Sequence, residues 1–235
     1  MKASRILLEM LLFFLAFFLP GYLAQAHTAA PAPITTLAML QVIVTSLPQF
    51  LLMAYVVGVA SPHRPGRWGL VGFHARDALW TVVLVLACFA VIAAFVALVL
   101  SLPPAWSKPL TRGYRWGLQS YAQIPIALLF GLAAGYREEF FFRSYLLGRM
   151  EELGLPLPLA GIASTLLFCA GHVYEGPLGI AVAAVLGAIL CVAYIRRPNL
   201  HVVAIAHGLY NTIVLCLSIP LFHALPAGQA LRIFF

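Results

Sequence analysis

Seven long apolar segments constrain the fold of this chain more than any other feature of its sequence. They lie at about residues 6–24, 34–60, 78–102, 120–150, 157–175, 177–195 and 201–222, and several reach the ~20 residues with which a helix crosses a bilayer. Only 9% of the residues are charged, whereas soluble domains carry about 25%. The sequence therefore predicts an all-α, polytopic transmembrane helix bundle of about seven spans, within a range of six to eight.

Short breaks rich in proline and glycine separate the apolar segments, and no polar interval is long enough to fold alone. We therefore expect residues 1–235 to form a single integral membrane domain. The first segment leaves two possibilities open, because "LAQA" before His27 is compatible with cleavage of a signal peptide after Ala26. Glu9 inside the apolar run favours a retained helix over a signal peptide.

The basic excess, 14 Lys and Arg against 7 Asp and Glu, lies mostly between apolar segments, where it orients the chain in the bilayer and predicts no nucleic-acid partner. A cytoplasmic N-terminus places eight basic residues inside and four outside. The inside set is Lys2, Arg5, Arg64, Arg67, Arg76, Arg149, Arg196 and Arg197, and the outside set is Lys108, Arg112, Arg115 and Arg232. The cluster from Lys108 to Arg115 suggests an interfacial or re-entrant segment. The preference for arginine over lysine favours a bacterial inner membrane.

The stretch "GYREEFFFRSYL" places four charges, Arg137, Glu138, Glu139 and Arg143, inside the fourth apolar segment. At 100° per residue Glu139 and Arg143 share a face and should form an ion pair, which leaves Glu138 free and pointing about 100° away. An ionisable group at membrane depth is a candidate functional residue.

Two further polar groups are expected at the depth of Glu138. The "GLPLP" turn is centred on Leu155, 17 residues after Glu138 and 17 before His172, so an antiparallel hairpin brings their polar atoms to within about 4–6 Å, the reach of one bridging water. In the last segment His207 and Asn211 are four residues apart and share one face of an apolar helix. That pair is equally typical of polar packing between membrane helices.

In order, Glu138-Glu139-x-x-x-Arg143, Phe168-x-x-x-His172 and His207-x-x-x-Asn211 resemble the signature of the CAAX prenyl endopeptidase and bacteriocin-processing enzyme family of intramembrane proteases (CPBP). The resemblance implies that residues 120–215 form the catalytic helices, with Glu138 and His172 activating water and His207 and Asn211 stabilising the oxyanion. It places Glu139, Arg143 and Phe168 in supporting positions. The chemistry of the residues agrees, because a carboxylate and an imidazole can deprotonate a water whose attack creates charge that fixed donors stabilise.

Other protease chemistries lack their residues in this sequence. The chain has one aspartate, Asp77, so a two-aspartate protease is excluded, and it contains no H-E-x-x-H motif. Ser164 lacks a G-x-S-x-G elbow. Cys169, three residues before His172, is expected to pack and not to act as a nucleophile.

The expected cofactor is none. Glu138, His172 and His207 are nevertheless a residue set that binds zinc, with water as the fourth ligand. We favour the metal-free alternative because the sequence shows no additional carboxylate to orient the histidines. The expected partners are the lipid bilayer and a membrane-associated or lipid-anchored protein, or a precursor peptide, as substrate. The alternative is a transporter or a catalytically silent binding protein, for which Pro48 and Pro125 would break two helices.

Overall fold

The computed structural model describes residues 2–25, 34–60, 65–110 and 117–224, and within these ranges the chain is helical and contains no strand. The helices are α1 Lys2–Gln25, α2 Thr36–Ala60, α3 Ala75–Ser101, α4 Pro104–Leu110, α5 Ile124–Glu139, α6 Leu146–Glu152, α7 Leu157–Ala170, α8 Gly176–Arg196 and α9 Leu200–Ala224. A π-helical segment, Phe140–Tyr145, joins α5 to α6, and single 3-10 turns lie at Pro65–Trp68, Tyr121–Gln123 and Val173–Glu175. The all-α fold class is confirmed.

Five helical stretches are long and apolar enough to cross a membrane: Ala3–Pro20, Thr36–Val59, Ala75–Ser101, Val173–Arg196 and Leu200–Pro220. They confirm a polytopic membrane bundle. The other two predicted spans do not qualify, for different physical reasons. The fourth carries the buried charges, and the fifth ends at Ala170 after 14 residues, about 21 Å of helix, which is shorter than the hydrocarbon core of about 30 Å.

The turn predicted at "GLPLP" is confirmed, and its geometry explains why α6 stops there. Gly154 has a φ of 83°, in the left-handed region that glycine adopts without steric cost. Its N–H donates to the carbonyl of Glu151 (2.9 Å) and the N–H of Leu155 donates to that of Met150 (3.0 Å), the pattern of a Schellman motif. The chain therefore reverses after α6 and α7 returns along it.

The two prolines that would have marked broken transporter helices break neither helix, and this expectation was wrong. Pro48 lies inside α2, which continues through it. Pro125 occupies the first turn of α5, where a missing N–H donor costs nothing because that position has no intrahelical acceptor.

Two ion pairs tie α1 and α3 to residues at the ends of α6 and α8. Arg149 at the end of α6 contacts Glu9 of α1 (2.8 Å), and Arg197 after α8 contacts Asp77 of α3 (2.6 Å). Part of the predicted Lys108–Arg115 cluster, residues 111–116, lies outside the described ranges.

The closest helix packing in the bundle lies between α5 and α9, and it depends on glycines. A Cβ atom added to Gly135 would lie 2.8 Å from the backbone nitrogen of Gly208, and one added to Gly208 would lie 2.8 Å from the carbonyl oxygen of Gly131. Real Cβ atoms do not approach backbone atoms so closely. Small residues at both surfaces therefore allow the two backbones to touch, as in many membrane helix pairs, and this contact brings α9 against the charged end of α5.

Candidate active site

The charged stretch changes helix type immediately after Glu139, a feature that the regular 100° helix used for the sequence prediction does not contain. In the π-helical segment the N–H of Leu146 donates to the carbonyl of Phe141, five residues earlier. The hydroxyl of Ser164 on α7 donates to the carbonyl of Phe142 (2.6 Å). A π-turn leaves main-chain acceptors without their usual partners, and such turns are frequent at functional sites.

The predicted ion pair between Glu139 and Arg143 is present. Arg143 Nε lies 3.2 Å from Glu139 Oε2, and neither side chain has any solvent exposure. The two other nitrogens of the guanidinium donate to the hydroxyl of Ser164 (3.3 Å) and to the carbonyl of Gly187 on α8 (3.1 Å). Arg143 thus links α5, α7 and α8, and its charge is balanced inside the protein.

Phe168 lies at the centre of the polar cluster. Its ring centroid is 5.0 Å from the guanidinium carbon of Arg143, 4.5 Å from the ring of His172 and 5.8 Å from that of His207. The ring therefore separates Arg143 from the two imidazoles, and its faces and edges fix their orientation. A large aromatic residue in this position keeps water away from the Glu139–Arg143 pair.

The carboxylate of Glu138 and the two imidazoles converge on one space. Glu138 Oε2 is 4.0 Å from His172 Nε2 and 3.9 Å from His207 Nε2. The first distance falls at the lower edge of the range expected from the hairpin. His207 is seven residues into α9, about 10 Å along the helix. The residues that the sequence placed at equal depth are therefore brought together below one end of the bundle.

The second nitrogen of each imidazole is held by an acceptor, which settles the tautomers. His172 Nδ1 lies 2.8 Å from the carbonyl oxygen of Phe168, and His207 Nδ1 lies 2.9 Å from Glu139 Oε1. A carbonyl and a carboxylate only accept, so both Nδ1 atoms donate and both Nε2 atoms face Glu138. The sequence argument that no additional carboxylate orients a histidine was wrong, because Glu139 orients His207 while also pairing with Arg143.

The helical geometry predicted a free Glu138, and this prediction was wrong. Arg137 donates to Glu138 Oε1 at 2.7 Å, which leaves Oε2 as the oxygen that faces the histidines. Helix spacing gives no rule for adjacent residues, whose side chains leave the helix about 100° apart. The pair forms because the long arginine side chain folds back to its neighbour, and the sequence carried no signal for it.

Asn211 lies one turn further along α9 than His207, and no measured contact in the described ranges joins it to the other three predicted residues. It is half-buried, and its amide has no hydrogen-bond partner within the described ranges. Four residues of helix separate it from His207, about 6 Å along the axis. Its donors are therefore not committed to packing between helices.

Two residues near the site were missed by the sequence analysis, although they follow His172 closely in the chain. The ring of Tyr174 stacks beside that of His172, with a centroid distance of 6.2 Å. Glu175 lies within electrostatic range of His172 and Glu138. The start of α8 therefore adds a third carboxylate to the surroundings of the site.

The two distances from Glu138 Oε2 to the imidazole nitrogens suit one bridging water molecule. Ligands about 2.05 Å from one zinc ion and 3.9–4.0 Å apart would subtend about 145–155° at the metal, far from the tetrahedral angle of about 109°. A water with hydrogen bonds of about 2.8 Å would subtend about 90°, close to its own angle of about 105°. No group of three or more possible ligands is placed to hold a metal ion among the described residues.

Comparison with protein families supports the resemblance seen in the motifs. Residues 120–213 match the family model described as type II CAAX prenyl endopeptidase Rce1-like. The matched segment includes Glu138, His172, His207 and Asn211, and it supports a CAAX-type intramembrane endopeptidase. No curated protein and no solved structure gives a significant match to the chain.

Proposed function

We propose that this chain, whose residues 120–213 match the Rce1-like family model, is an intramembrane endopeptidase in which Glu138 and His172 activate a water molecule. The observation that carries the proposal is the convergence of Glu138 Oε2 with the Nε2 atoms of His172 and His207 at 3.9–4.0 Å. Glu138 is 8% and His207 1% exposed, so the reaction would take place away from bulk water, where electrostatic stabilisation is strong.

Counting the protons of one bound water shows which of the three groups accept a hydrogen bond from it and which one donates. Glu138 Oε2 accepts, and each Nε2 accepts in a neutral imidazole, but one water can donate only two protons. One of the three must therefore carry a proton. His207 lies 3.9 Å from Glu138 and 2.9 Å from Glu139, and two neighbouring carboxylates favour its cation. Glu138 and His172 then accept from the water, while His207 donates.

The reaction follows from these roles. The water oxygen attacks the substrate carbonyl carbon as a proton passes to Glu138 or His172. The negative charge that forms on the carbonyl oxygen is stabilised by the Nε2–H of His207 and the amide of Asn211. When the C–N bond breaks, the leaving nitrogen takes the proton from the same base. The products are a new carboxylic acid and a new amine, which become a carboxylate and an ammonium when the acid gives its proton to the amine.

The surrounding groups keep this arrangement in register. Arg137 holds one oxygen of Glu138, so the other oxygen stays directed at the histidines. Glu139, fixed by Arg143, holds Nδ1 of His207. Preorganised donors of this kind spend no free energy on reorientation during the reaction.

The substrate in this proposal is a membrane-associated or lipid-anchored protein, or a precursor peptide, in a bacterial inner membrane with the N-terminus of the enzyme in the cytoplasm. The family match favours a membrane-associated substrate. The arginine-rich composition and the distribution of basic residues support the assigned membrane and orientation.

Kinetics of His207→Ala and Asn211→Ala test the oxyanion assignment. Each substitution is expected to lower kcat by about 10²–10³-fold with a much smaller change in KM, because a donor to the oxyanion acts mainly in the transition state. Gln119→Ala, at an exposed polar position, is the matched control and should behave as wild type. An unchanged kcat with a raised KM would assign these residues to substrate binding instead.

The proposal includes no metal cofactor. Purified protein is expected to contain less than stoichiometric zinc, and dialysis against a strong chelator should leave turnover unchanged. Elemental analysis and activity before and after dialysis measure both. One zinc per chain, with activity restored only by added metal, would make His172 and His207 ligands and would contradict the water-activating pair.

A further inference from the structure

A groove of about 430 Å³ lies between α2 and α5, next to the proposed site. We call it the α2–α5 groove. Its walls are mainly the apolar side chains of Val44, Leu47, Phe50 and Ala133, and its polar lining includes Ser46 and Arg137. The volume falls within the range of about 300–1,000 Å³ typical of ligand pockets. Arg137 also forms an ion pair with Glu138, the proposed catalytic base. The groove therefore lies directly beside the proposed active site.

Polar atoms in and beside the groove lack the partners that buried polar groups normally have. Ser46 is only 4% exposed, and neither its hydroxyl nor Nε of Arg137 has a hydrogen-bond partner in the part of the chain that the structure describes. The side-chain oxygen of Gln49, one turn beyond Ser46 on α2, is also buried without a partner there. Since buried polar groups are nearly always hydrogen-bonded, the two donors in the groove lining, Ser46 and Arg137, await a ligand with acceptor groups.

We propose that the α2–α5 groove binds an extended apolar segment of the substrate through its peptide backbone. This inference deepens the proposed function and rests on it. Arg137 Nε–H and the Ser46 hydroxyl donate to backbone carbonyls, while the apolar walls take the side chains. An extended peptide offers carbonyl acceptors for these two donors together with apolar side chains for the walls. A helical segment does not fit this chemistry, because its carbonyls are already bonded within the helix.

Charge decides between a neutral carbonyl and a free C-terminal carboxylate at Arg137. The guanidinium is already paired with Glu138 at 2.7 Å. A second carboxylate would place two anions on one cation among apolar walls, and an uncompensated charge there is costly. A neutral carbonyl adds a hydrogen bond without adding charge. The groove therefore selects an apolar, unwound stretch of chain and does not require the chain to end there.

Photocrosslinking measures this binding independently of cleavage. The full chain in lipid nanodiscs is mixed with a nine-residue peptide of leucine, valine and alanine that carries one benzophenone side chain, prepared both as C-terminal acid and as amide. We expect crosslinks to residues 43–50 and 133–137, with affinities for the two forms within about threefold. Ser46→Ala is expected to weaken binding by about three- to tenfold, the loss of one hydrogen bond.

Two variants make the test specific. Thr45→Ala alters the neighbouring exposed hydroxyl and should bind as wild type, and Arg137→Lys, which lacks the Nε donor, should weaken binding as Ser46→Ala does. Crosslinks elsewhere, a tenfold preference for the free acid, or wild-type binding by Ser46→Ala would overturn the inference. Binding in the groove without cleavage of any substrate would support the groove as a peptide-binding site and would contradict the proposed peptidase function.

Discussion

Glu138→Gln is expected to reduce peptide-bond cleavage by at least about 10³-fold while the protein still inserts and folds. Glutamine keeps the volume of the side chain but cannot accept a proton from water, and general-base catalysis contributes about 10²–10⁴-fold. The loss of the ion pair with Arg137, 2.7 Å in the wild type, adds to the effect by releasing the side chain. Turnover of a verified substrate in proteoliposomes measures the change.

Glu151→Gln is the control for that substitution, because Glu151 is an exposed carboxylate near the end of the same helical stretch. It should retain wild-type turnover. If Glu138→Gln kept turnover near wild type on the same substrate, Glu138 would not be the catalytic base. Its proximity to His172 and His207 would then favour a transporter or a binding protein.

Arg143→Leu is expected to lower the free energy of unfolding by about 3–5 kcal/mol and to abolish activity. Both members of the Glu139–Arg143 pair have no exposure, and removing one partner of a buried ion pair leaves an uncompensated charge. The substitution also removes the donors to Ser164 and Gly187. Unfolding in mixed micelles, followed by denaturant titration, gives the stability change.

A double-mutant cycle separates the ion pair from the other contacts of Arg143. In Glu139→Gln with Arg143→Leu, no unpaired charge remains, so the double variant should be more stable than Arg143→Leu alone. It should stay inactive, because glutamine does not hold the cationic form of His207 as a carboxylate does. Additive stability changes would show that the two residues do not act as a pair.

The sequence predicted the part of the site that depends on local spacing and on one turn. The Glu139–Arg143 pair follows from the spacing of four residues, and the common depth of Glu138 and His172 follows from a single turn at Leu155. Both predictions depend on few residues, and the left-handed φ of Gly154 fixes the turn that relates the two helices.

The contacts that depend on backbone details or tertiary packing could not be predicted. No residue type in the aromatic run Phe140–Tyr145 marks the π-helical segment that forms there. The bond from His207 to Glu139 depends on the close approach of α5 and α9 at Gly135 and Gly208, which spacing within one helix does not reveal. The fifth span was predicted to reach residue 175, whereas α7 ends at Ala170 and the chain continues into a 3-10 turn at Val173–Glu175.

Comparison of protein termini in membranes with wild-type chain and with Glu138→Gln tests most directly whether this protein is a peptidase. Membrane and secreted fractions from the two cell populations are labelled at their free N- and C-termini and compared by mass spectrometry. The account predicts pairs of new termini, in membrane-associated proteins or precursor peptides, that appear only with the wild-type chain. Identical sets of termini in the two populations, with equal amounts of the two proteins in the membrane, would contradict it.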